Sequence, residues 1–481
     1  PYIDITVGEN GIVDLPNNVD SLFRAVGSRY THVSTPNGDL IPILIQENFT
    51  NTQILHARTI LQFYLTNIPD SDWGSDKSAI SNALGASNAI LFLLNNETEY
   101  ENPDLLALLD AGVNGQDLLA DEVFPEGSIE YMRSSNRDAS YEEILHFIHG
   151  FGIQIADPSL QDTIVSAMNN AIENQLYNPL SDLPQEDYEE EYLAMGLECY
   201  FGIWAHDPNG NGYCGDQEYV FINREEMAQG DPALFGIIEG FFGEMWNYTA
   251  QLHPDFNSEF LMNLNDSLSY TYRSQYLKKL STAGDNNISI LGNSYDNILQ
   301  ANNGNNTIIG FAGNDTIYGY DGVDRAIFHG NWEEYFVQPI DDSAGFQVID
   351  VMLHRDGIDN LYDIEEFEFN GQVYLAGNLL GANGEFTLPE QFKLHMPYPN
   401  PFNPVVNIFY DIPVNENILI QVLDINGRVV DVIHNGVKNP GRYNSYWEAK
   451  DKFGQCMSTG VYFVRFSSNS YRKTAKILYL K

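Results

Sequence analysis

Polar and apolar positions along the first 275 residues alternate between two spacings. Tyr30-Thr31-His32-Val33 and Leu40-Ile41-Pro42-Ile43-Leu44 flank the turn signal Pro36-Asn37-Gly38-Asp39, which predicts a hairpin over 29–45. Pro42 has no backbone donor and predicts an edge position for the second strand. Helical spacing predicts helices near 52–67, 140–151, 159–176, 188–205 and 232–248. Ser140 and Glu143 predict a capping box at the head of the second of these. The run Ala89-Ile90-Leu91-Phe92-Leu93-Leu94 is too short for periodicity to choose between buried strand and buried helix. Region 1–275 therefore reads as an α+β domain.

Between 283 and 328 the pattern shortens to a repeat. An Asp/Asn position recurs at 286, 296, 306, 315 and 324, and an aliphatic position at 288, 298, 308, 317 and 326. The spacing is ten, ten, nine and nine. This predicts a parallel β-roll with aliphatic residues inside and Gly and Asp/Asn turns that bind calcium. Asp296, Asn306, Gly313, Asp315, Gly322 and Asp324 are the candidate calcium residues. Asn in place of Asp in the earlier turns lowers the ligand charge there. These repeats resemble the hemolysin-type calcium-binding family. Asp324-Arg325-Ala326-Ile327-Phe328, Tyr335-Phe336-Val337, Asp356-Gly357-Ile358-Asp359 and Ile364-Glu365-Glu366-Phe367-Glu368-Phe369 resemble the module that caps such rolls in secreted proteases. The resemblance implies an extracellular, calcium-stabilised β-structure over 276–385.

Charge separates a third region. The 481-residue chain has a formal net charge of -44. Residues 391–481 hold 11 Lys+Arg and 6 Asp+Glu, whereas the preceding 390 hold 12 and 61. Such acidity argues against binding nucleic acid, whose phosphates it repels, and favours bound cations or a saline setting. Pro-rich entry, alternating strands and Gly turns predict a small antiparallel sandwich at 386–481. Tyr398-Pro399-Asn400-Pro401-Phe402-Asn403-Pro404, Val422-Leu423-Asp424-Ile425-Asn426-Gly427-Arg428, Ser458-Thr459-Gly460-Val461-Tyr462-Phe463-Val464 and Lys476-Ile477-Leu478-Tyr479-Leu480-Lys481 resemble the type IX secretion sorting domain. The resemblance implies an immunoglobulin-like sandwich, handling by the type IX machinery, and export by a Gram-negative-type bacterium to the surface or medium. No run of about 20 apolar residues exists, so no membrane span is expected. The start at Pro1 suits a secreted protein after leader removal, and a cloned fragment would begin the same way.

Candidate chemistry centres on Tyr141-Glu142-Glu143-Ile144-Leu145-His146-Phe147-Ile148-His149. At about 100° per residue, Glu142, His146 and His149 share one helix face within roughly 60°. The zinc-protease motif H-E-x-x-H has this spacing, with its general base one residue after the first ligand. Here Glu142 stands at the first ligand position and Glu143 at the base. Strict H-E-x-x-H is absent from the sequence. Either Glu142 replaces the first His, or His149 joins His146, or the scaffold has lost its metal. The stretch Glu190-Glu191-Tyr192-Leu193-Ala194 resembles the Glu-bearing helix of gluzincin metallopeptidases of the lethal-factor-like branch. That resemblance implies Glu191 as a zinc ligand, with Glu198 as its alternative, and a zincin-like domain acting on extracellular protein or peptide. The competing reading is a non-catalytic calcium-binding surface or adhesion protein on a degenerate metallopeptidase fold.

Residues 207–218 fit a twelve-residue calcium loop. Asp207, Asn209, Asn211 and Glu218 fall at ligand positions 1, 3, 5 and 12, Gly212 at the turn, and Tyr213 at the carbonyl position. Tyr219-Val220-Phe221-Ile222 reads as extended, so a full helix-loop-helix is not expected. Three cysteines make no disulfide framework; Cys199 and Cys214 could pair. Serine-hydrolase, P-loop and dinucleotide fingerprints are lacking.

Overall fold

The computed structural model describes all residues except 1–2, 134–136, 182, 206–209, 216, 246, 341–344, 353, 380–388 and 390. Two compact units divide the chain: Pro1–Asn293 with Asn297–Asn302, and Ser294–Asp296 with Asn303–Lys481.

In the first unit, β1 (Val13–Asp14), β2 (Arg29–Ser34), β3 (Leu40–Ile45), β4 (Ile90–Leu94) and β5 (Gly115–Leu119) form one sheet in that order. The first two pairings are antiparallel and the last two parallel. The hairpin forms as predicted, but Pro42 does not mark an edge, because β3 lies between β2 and β4. β4 pairs with Ile43, Leu44 and Ile45 only. No donor is demanded of Pro42 on that side, which is why a proline is tolerated in an inner strand. The ambiguous 90–94 run is a strand buried at every residue, as a parallel strand covered on both faces requires.

Helix α1 (Asn51–Leu65) opens with a capping box between Thr50 and Gln53 and buries Ile54, Ala57, Ile60 and Leu61. Helix α2 (Ser140–Ile148) runs into a π turn at His149–Ile153. The Ser140–Glu143 capping box does not form. Asp138 Oδ1 accepts from the Ser140 N–H at 3.2 Å, while the Glu143 carboxylate is taken by Gln116 of β5. Helix α3 (Pro158–Glu173) is capped by Asp157. Helix α4 (Tyr188–Tyr200) stops before the expected 205, and α5 (Pro232–Phe242) stops at Gly243, whose φ is +62°. Cys199 and Cys214 are free and buried, so the pairing considered from sequence is not made.

The first unit continues with β6 (Thr249–Leu252), β7 (Glu259–Leu261), β8 (Lys279–Thr282), β9 (Ser289–Leu291) and β10 (Ile298–Gln300). They form parallel ladders β6–β8–β10 and β7–β9. The second unit holds β11 (Thr307–Ile309), β12 (Thr316–Tyr318) and β13 (Arg325–Phe328). β14 (Tyr335–Pro339) and β15 (Gly345–Asp350) turn back antiparallel onto β16 (Ile358–Tyr362), which pairs parallel with β12. β17 (Glu366–Phe369) pairs parallel with β13, and β18 (Gln372–Leu375) closes on β17.

The repeat phase differs from the sequence reading. Ile290, Leu299, Ile308, Ile317 and Ala326 are buried, and so are Asn297, Asn306, Asp315 and Asp324. The interval is nine throughout. Asp296 is exposed and Ile298 only half-buried. The parallel register decides this: Leu299 pairs with Leu280, which is itself fully buried, so Leu299 rather than Ile298 stacks inward.

The C-terminal part is two antiparallel sheets. One orders β19 (Lys393–Leu394), β20 (Val406–Ile412) and β23 (Gly441–Trp447). The other orders β22 (Val429–Lys438), β21 (Glu416–Leu423), β24 (Gly460–Ser467) and β25 (Arg472–Tyr479). Ile408, Ile418, Trp447, Val464 and Ile477 fill the core between them.

Candidate metal centre

Helices α2 and α4 bring Glu142, His146 and Glu191 together. One ligand atom from each lies within 4.8 Å of the others, the one such cluster among the described residues. The spacing of four puts Glu142 and His146 on the face of α2 that meets α4. His146 Nε2 lies 3.9 Å from Glu191 Oε1. It is buried and has no hydrogen-bond partner. On the other ring nitrogen, Nδ1 lies 3.7 Å from Glu143 Oε2. Gln116 Nε2 on β5 donates to Glu143 Oε2 at 2.7 Å and holds it there.

Surplus negative charge dominates the electrostatics. Burial opposes protonation of His146, but Glu143, Glu142 and Glu191 outweigh it and push the imidazole up to about 9. Burial raises the Glu191 carboxyl to about 7, with Glu142, Glu218 and Glu143 adding to the rise and His146 opposing it. Carboxylates drive the first rise and burial chiefly the second, and a cation bound among these groups would oppose both.

The other sequence candidates are placed elsewhere. His149 is fully buried, with Nδ1 at 3.2 Å from Glu190 Oε1 and Nε2 at 2.7 Å from Gln161 Oε1, so both nitrogens are engaged. Glu198 is fully buried and accepts from Arg137 Nη1 at 2.6 Å and from the Trp204 indole. Burial lifts its carboxyl to about 8, with Glu142 adding and Arg137 opposing. Arg137 also pairs closely with Glu142 Oε2, and its guanidinium lies 5.6 Å from the Trp204 ring. Sequence reasoning missed Arg137, Gln116 and Trp204. An arginine five residues before Glu142, in a chain with 23 basic against 67 acidic residues, was the available signal for the first.

A second buried network was not foreseen. His56 of α1 bonds Asp138 Oδ2 through Nε2 at 2.8 Å and the Tyr248 hydroxyl through Nδ1 at 3.0 Å. Glu126 lies 3.4 Å from Nδ1, and Arg273 donates to Asp138 Oδ2 at 2.9 Å. Burial opposes the His56 charge, but Asp138 and Glu126 push it up to about 9. Each member has a partner and little exposure, which marks a structural latch around α1. A cavity of about 840 Å³ beside Arg58, Gln62 and Thr35, and a more apolar one of about 970 Å³ beside Gln53, Phe124 and Phe256, are lined by other residues than the metal cluster.

In the calcium-loop candidate, Asp207 and Asn209 lie outside the described residues. Tyr213 N–H donates to Asn211 Oδ1 at 2.9 Å, Glu218 is buried, and Cys214 bridges antiparallel to Tyr219. The next helix begins only at Arg224, so no helix-loop-helix is formed, as the extended 219–222 run predicted.

In the roll, Asp324 Oδ1 accepts from Asn306 N–H at 2.8 Å, Asp359 Oδ1 from Asp315 N–H at 2.8 Å, and Asp296 Oδ1 from Asn314 N–H at 2.7 Å. Gly313 and Gly322 have φ near +126° and +128°. A Cβ at either would stand 2.3 Å from a carbonyl oxygen, of Tyr295 or Gly304, so the turns close only with glycine there.

Comparison with known proteins agrees with these two C-terminal modules. Residues 291–326 match the RTX calcium-binding nonapeptide repeat in four copies, and 397–480 match the secretion system C-terminal sorting domain. The chain thus carries hemolysin-type calcium-binding repeats and a type IX sorting tail. Together they indicate a secreted or cell-surface, calcium-binding protein of a Bacteroidetes-type bacterium, handled by the type IX machinery. Among the described residues no helix is long and apolar enough to cross a membrane. No curated protein matches the chain. Among solved structures, dimeric latent PorU from Porphyromonas gingivalis is 11% identical over 28% of this chain and 12% of its own, with a TM-score of 0.16. FlgD from P. aeruginosa is 27% identical over 15% of this chain and 58% of its own, TM-score 0.13. PorZ of the Porphyromonas gingivalis type IX system is 17% identical over 30% and 16%, TM-score 0.14. This chain therefore spans less than two thirds of each. At such scores the likenesses carry no argument about the N-terminal region.

Proposed function

We propose that this secreted protein has three parts: an α+β domain at 1–275 carrying a zinc site, a calcium-braced roll at 276–385, and an immunoglobulin-like sorting sandwich at 386–481. Glu142, His146 and Glu191 hold the zinc, and the activity is hydrolysis of extracellular protein or peptide. The observation that carries this reading is the buried, unpartnered His146 Nε2 facing Glu191. Three protein ligands leave a position open for water, the arrangement of catalytic rather than structural zinc. Zinc bound there would lower the pKa of its water to near neutrality.

Glu143 has two roles to separate. The spacing of the motif makes it the base that takes a proton from water. Its carboxylate lies on the Nδ1 side of His146, where it orients the ligating ring. In Glu143→Gln, the base role predicts lost turnover with zinc retained. The orienting role predicts zinc affinity weakened about 10- to 100-fold.

The deciding experiment is elemental analysis of the full chain beside His146→Ala, dialysed in calcium without added zinc. About one zinc per chain in the wild type, lost in the variant, supports the site and justifies peptidase assays. Calcium alone in both samples rejects it. A second reading, a non-catalytic surface or adhesion protein, is favoured by one observation: Arg137 already neutralises Glu142 and Glu198 from within the fold.

A further inference from the structure

Arg137, Arg273, Arg325 and Arg355 each pair with a carboxylate. Arg58 of α1 pairs with none among the described residues. Its Nη1 donates to Thr31 Oγ1 at 2.7 Å and to the Gly11 carbonyl at 3.3 Å, and its Nη2 donates to the Asn10 carbonyl at 2.7 Å. These acceptors hold the guanidinium in place but are uncharged, so its positive charge stays unbalanced. The hold is close: a Cβ on Gly11 would stand 2.9 Å from Arg58 Nη1. Burial lowers the Arg58 pKa, with no carboxylate raising it again. Burial and then the Arg58 charge lower the His32 imidazole beside it.

Arg58 and His32 line the cavity of about 840 Å³, which the turns Ile5–Val7 and Glu9–Gly11, strand β2, helix α1 and the helix Ser78–Ser87 surround. The chain has 67 Asp+Glu, yet none is among the described residues that line this cavity. The neighbouring Asp4 is engaged by Thr6, whose N–H and hydroxyl donate to its Oδ1 at 2.9 and 2.7 Å. A positive site without carboxylates, in so acidic a chain, suits an anion that comes from outside.

The remaining lining narrows the class. Ser34, Gln62 and Ser81 line the cavity with side chains that bond to no other group among the described residues. Hydroxyl and amide groups both donate and accept, which suits hydroxyls on a ligand. One guanidinium balances one negative charge and matches the two oxygens of a carboxylate, whereas a dianion would leave a charge unpaired in a partly buried place. The volume falls within the roughly 300–1,000 Å³ of small-molecule sites. We propose that this cavity binds a small, hydroxyl-rich monocarboxylate, the chemistry of a hexuronic acid. Arg58 takes the carboxylate, and Ser34, Gln62 and Ser81 take hydroxyls. The site is independent of the zinc reading.

Gln62 allows a test that leaves the bonds holding Arg58 intact. It is exposed and lies one helical turn after Arg58, so Gln62→Glu sets a carboxylate beside the guanidinium that the ligand needs. The experiment is isothermal titration of the full chain in calcium, as wild type, Gln62→Glu and Gln62→Lys. D-glucuronate, D-glucose and sulfate serve as separate probes. We expect wild type to bind glucuronate at least about tenfold more tightly than glucose or sulfate, because hydrogen bonds to a charged group are the stronger kind. We expect Gln62→Glu to lose at least about tenfold for glucuronate and Gln62→Lys to lose nothing. Glucose bound as tightly as glucuronate would remove charge from the recognition, and sulfate bound more tightly would make this a site for simple anions; either result overturns the proposal. Absence of glucuronate binding to wild type overturns it too, as does one affinity shared by all three proteins or an equal loss in both variants.

Discussion

Replacing Arg137 by alanine removes the guanidinium that bridges Glu142 and Glu198. Glu198 is fully buried and the Glu142 side chain only 8% exposed, so water cannot replace the guanidinium on either. Breaking a buried pair by deleting one partner costs about 3–5 kcal/mol. The Arg137 side chain is itself 27% exposed, which screens part of the interaction and favours the low end, about 3 kcal/mol. The variant has one relief available, because burial already lifts the Glu198 carboxyl to about 8. Protonating Glu198 removes one of the two stranded charges, so the loss should be larger at pH 8.5 than at pH 6. The assay is urea unfolding of wild type and Arg137→Ala at both pH values in chelator, comparing midpoints at constant m. Zinc added to the variant should restore stability, because a cation again sits among the carboxylates. A loss below about 1 kcal/mol at pH 8.5 would show the pair to be worth no more than a surface bridge and refute the electrostatic account.

Two further outcomes follow from burial and from register. His56 is held charged by Asp138 and Glu126, with its pKa raised from 6.5 to about 9. A raised histidine contributes stability fully below pH 6.5 and loses it as pH climbs through 9. The cost of His56→Gln should therefore be larger at pH 6 than at pH 10, by of order 3 kcal/mol; equal costs would mean the imidazole is neutral in the fold. In the roll, Leu299→Ala should destabilise by about 2–5 kcal/mol and Ile298→Ala by clearly less. Thermal melts in calcium check this, and the reverse order would restore the ten-residue phase.

How much of this was written in the chain differs from element to element. The hairpin at 29–45 was legible because an Asn-Gly turn between β-type runs is a local signal, and α1 and α3 because their apolar stripes are long. The two antiparallel C-terminal sheets were legible from alternating strands and Gly turns, and the sorting role only from the resemblance. The 90–94 strand was not, because a fully buried run looks the same in either conformation and only pairing to β3 and β5 decides it. The same holds for the repeat phase. The recurring Asp/Asn and aliphatic positions announced the roll, but whether Ile298 or Leu299 turns inward depends on which residue meets Leu280 across the ladder.

The candidate site divides along the same line. Spacing along one helix fixes which side chains share a face, so Glu142 and His146 were determined by sequence. What meets that face comes from positions remote in the chain: Glu191 on α4, Gln116 on β5 and the arginine at 137. Sequence spacing placed His149 with them, yet the π turn and the packing of Gln161 and Glu190 took it away. Local periodicity is set by backbone geometry and is carried by every short segment. Which charges neutralise one another is set by long-range packing, and for Glu142 and Glu198 only the tertiary structure decided it.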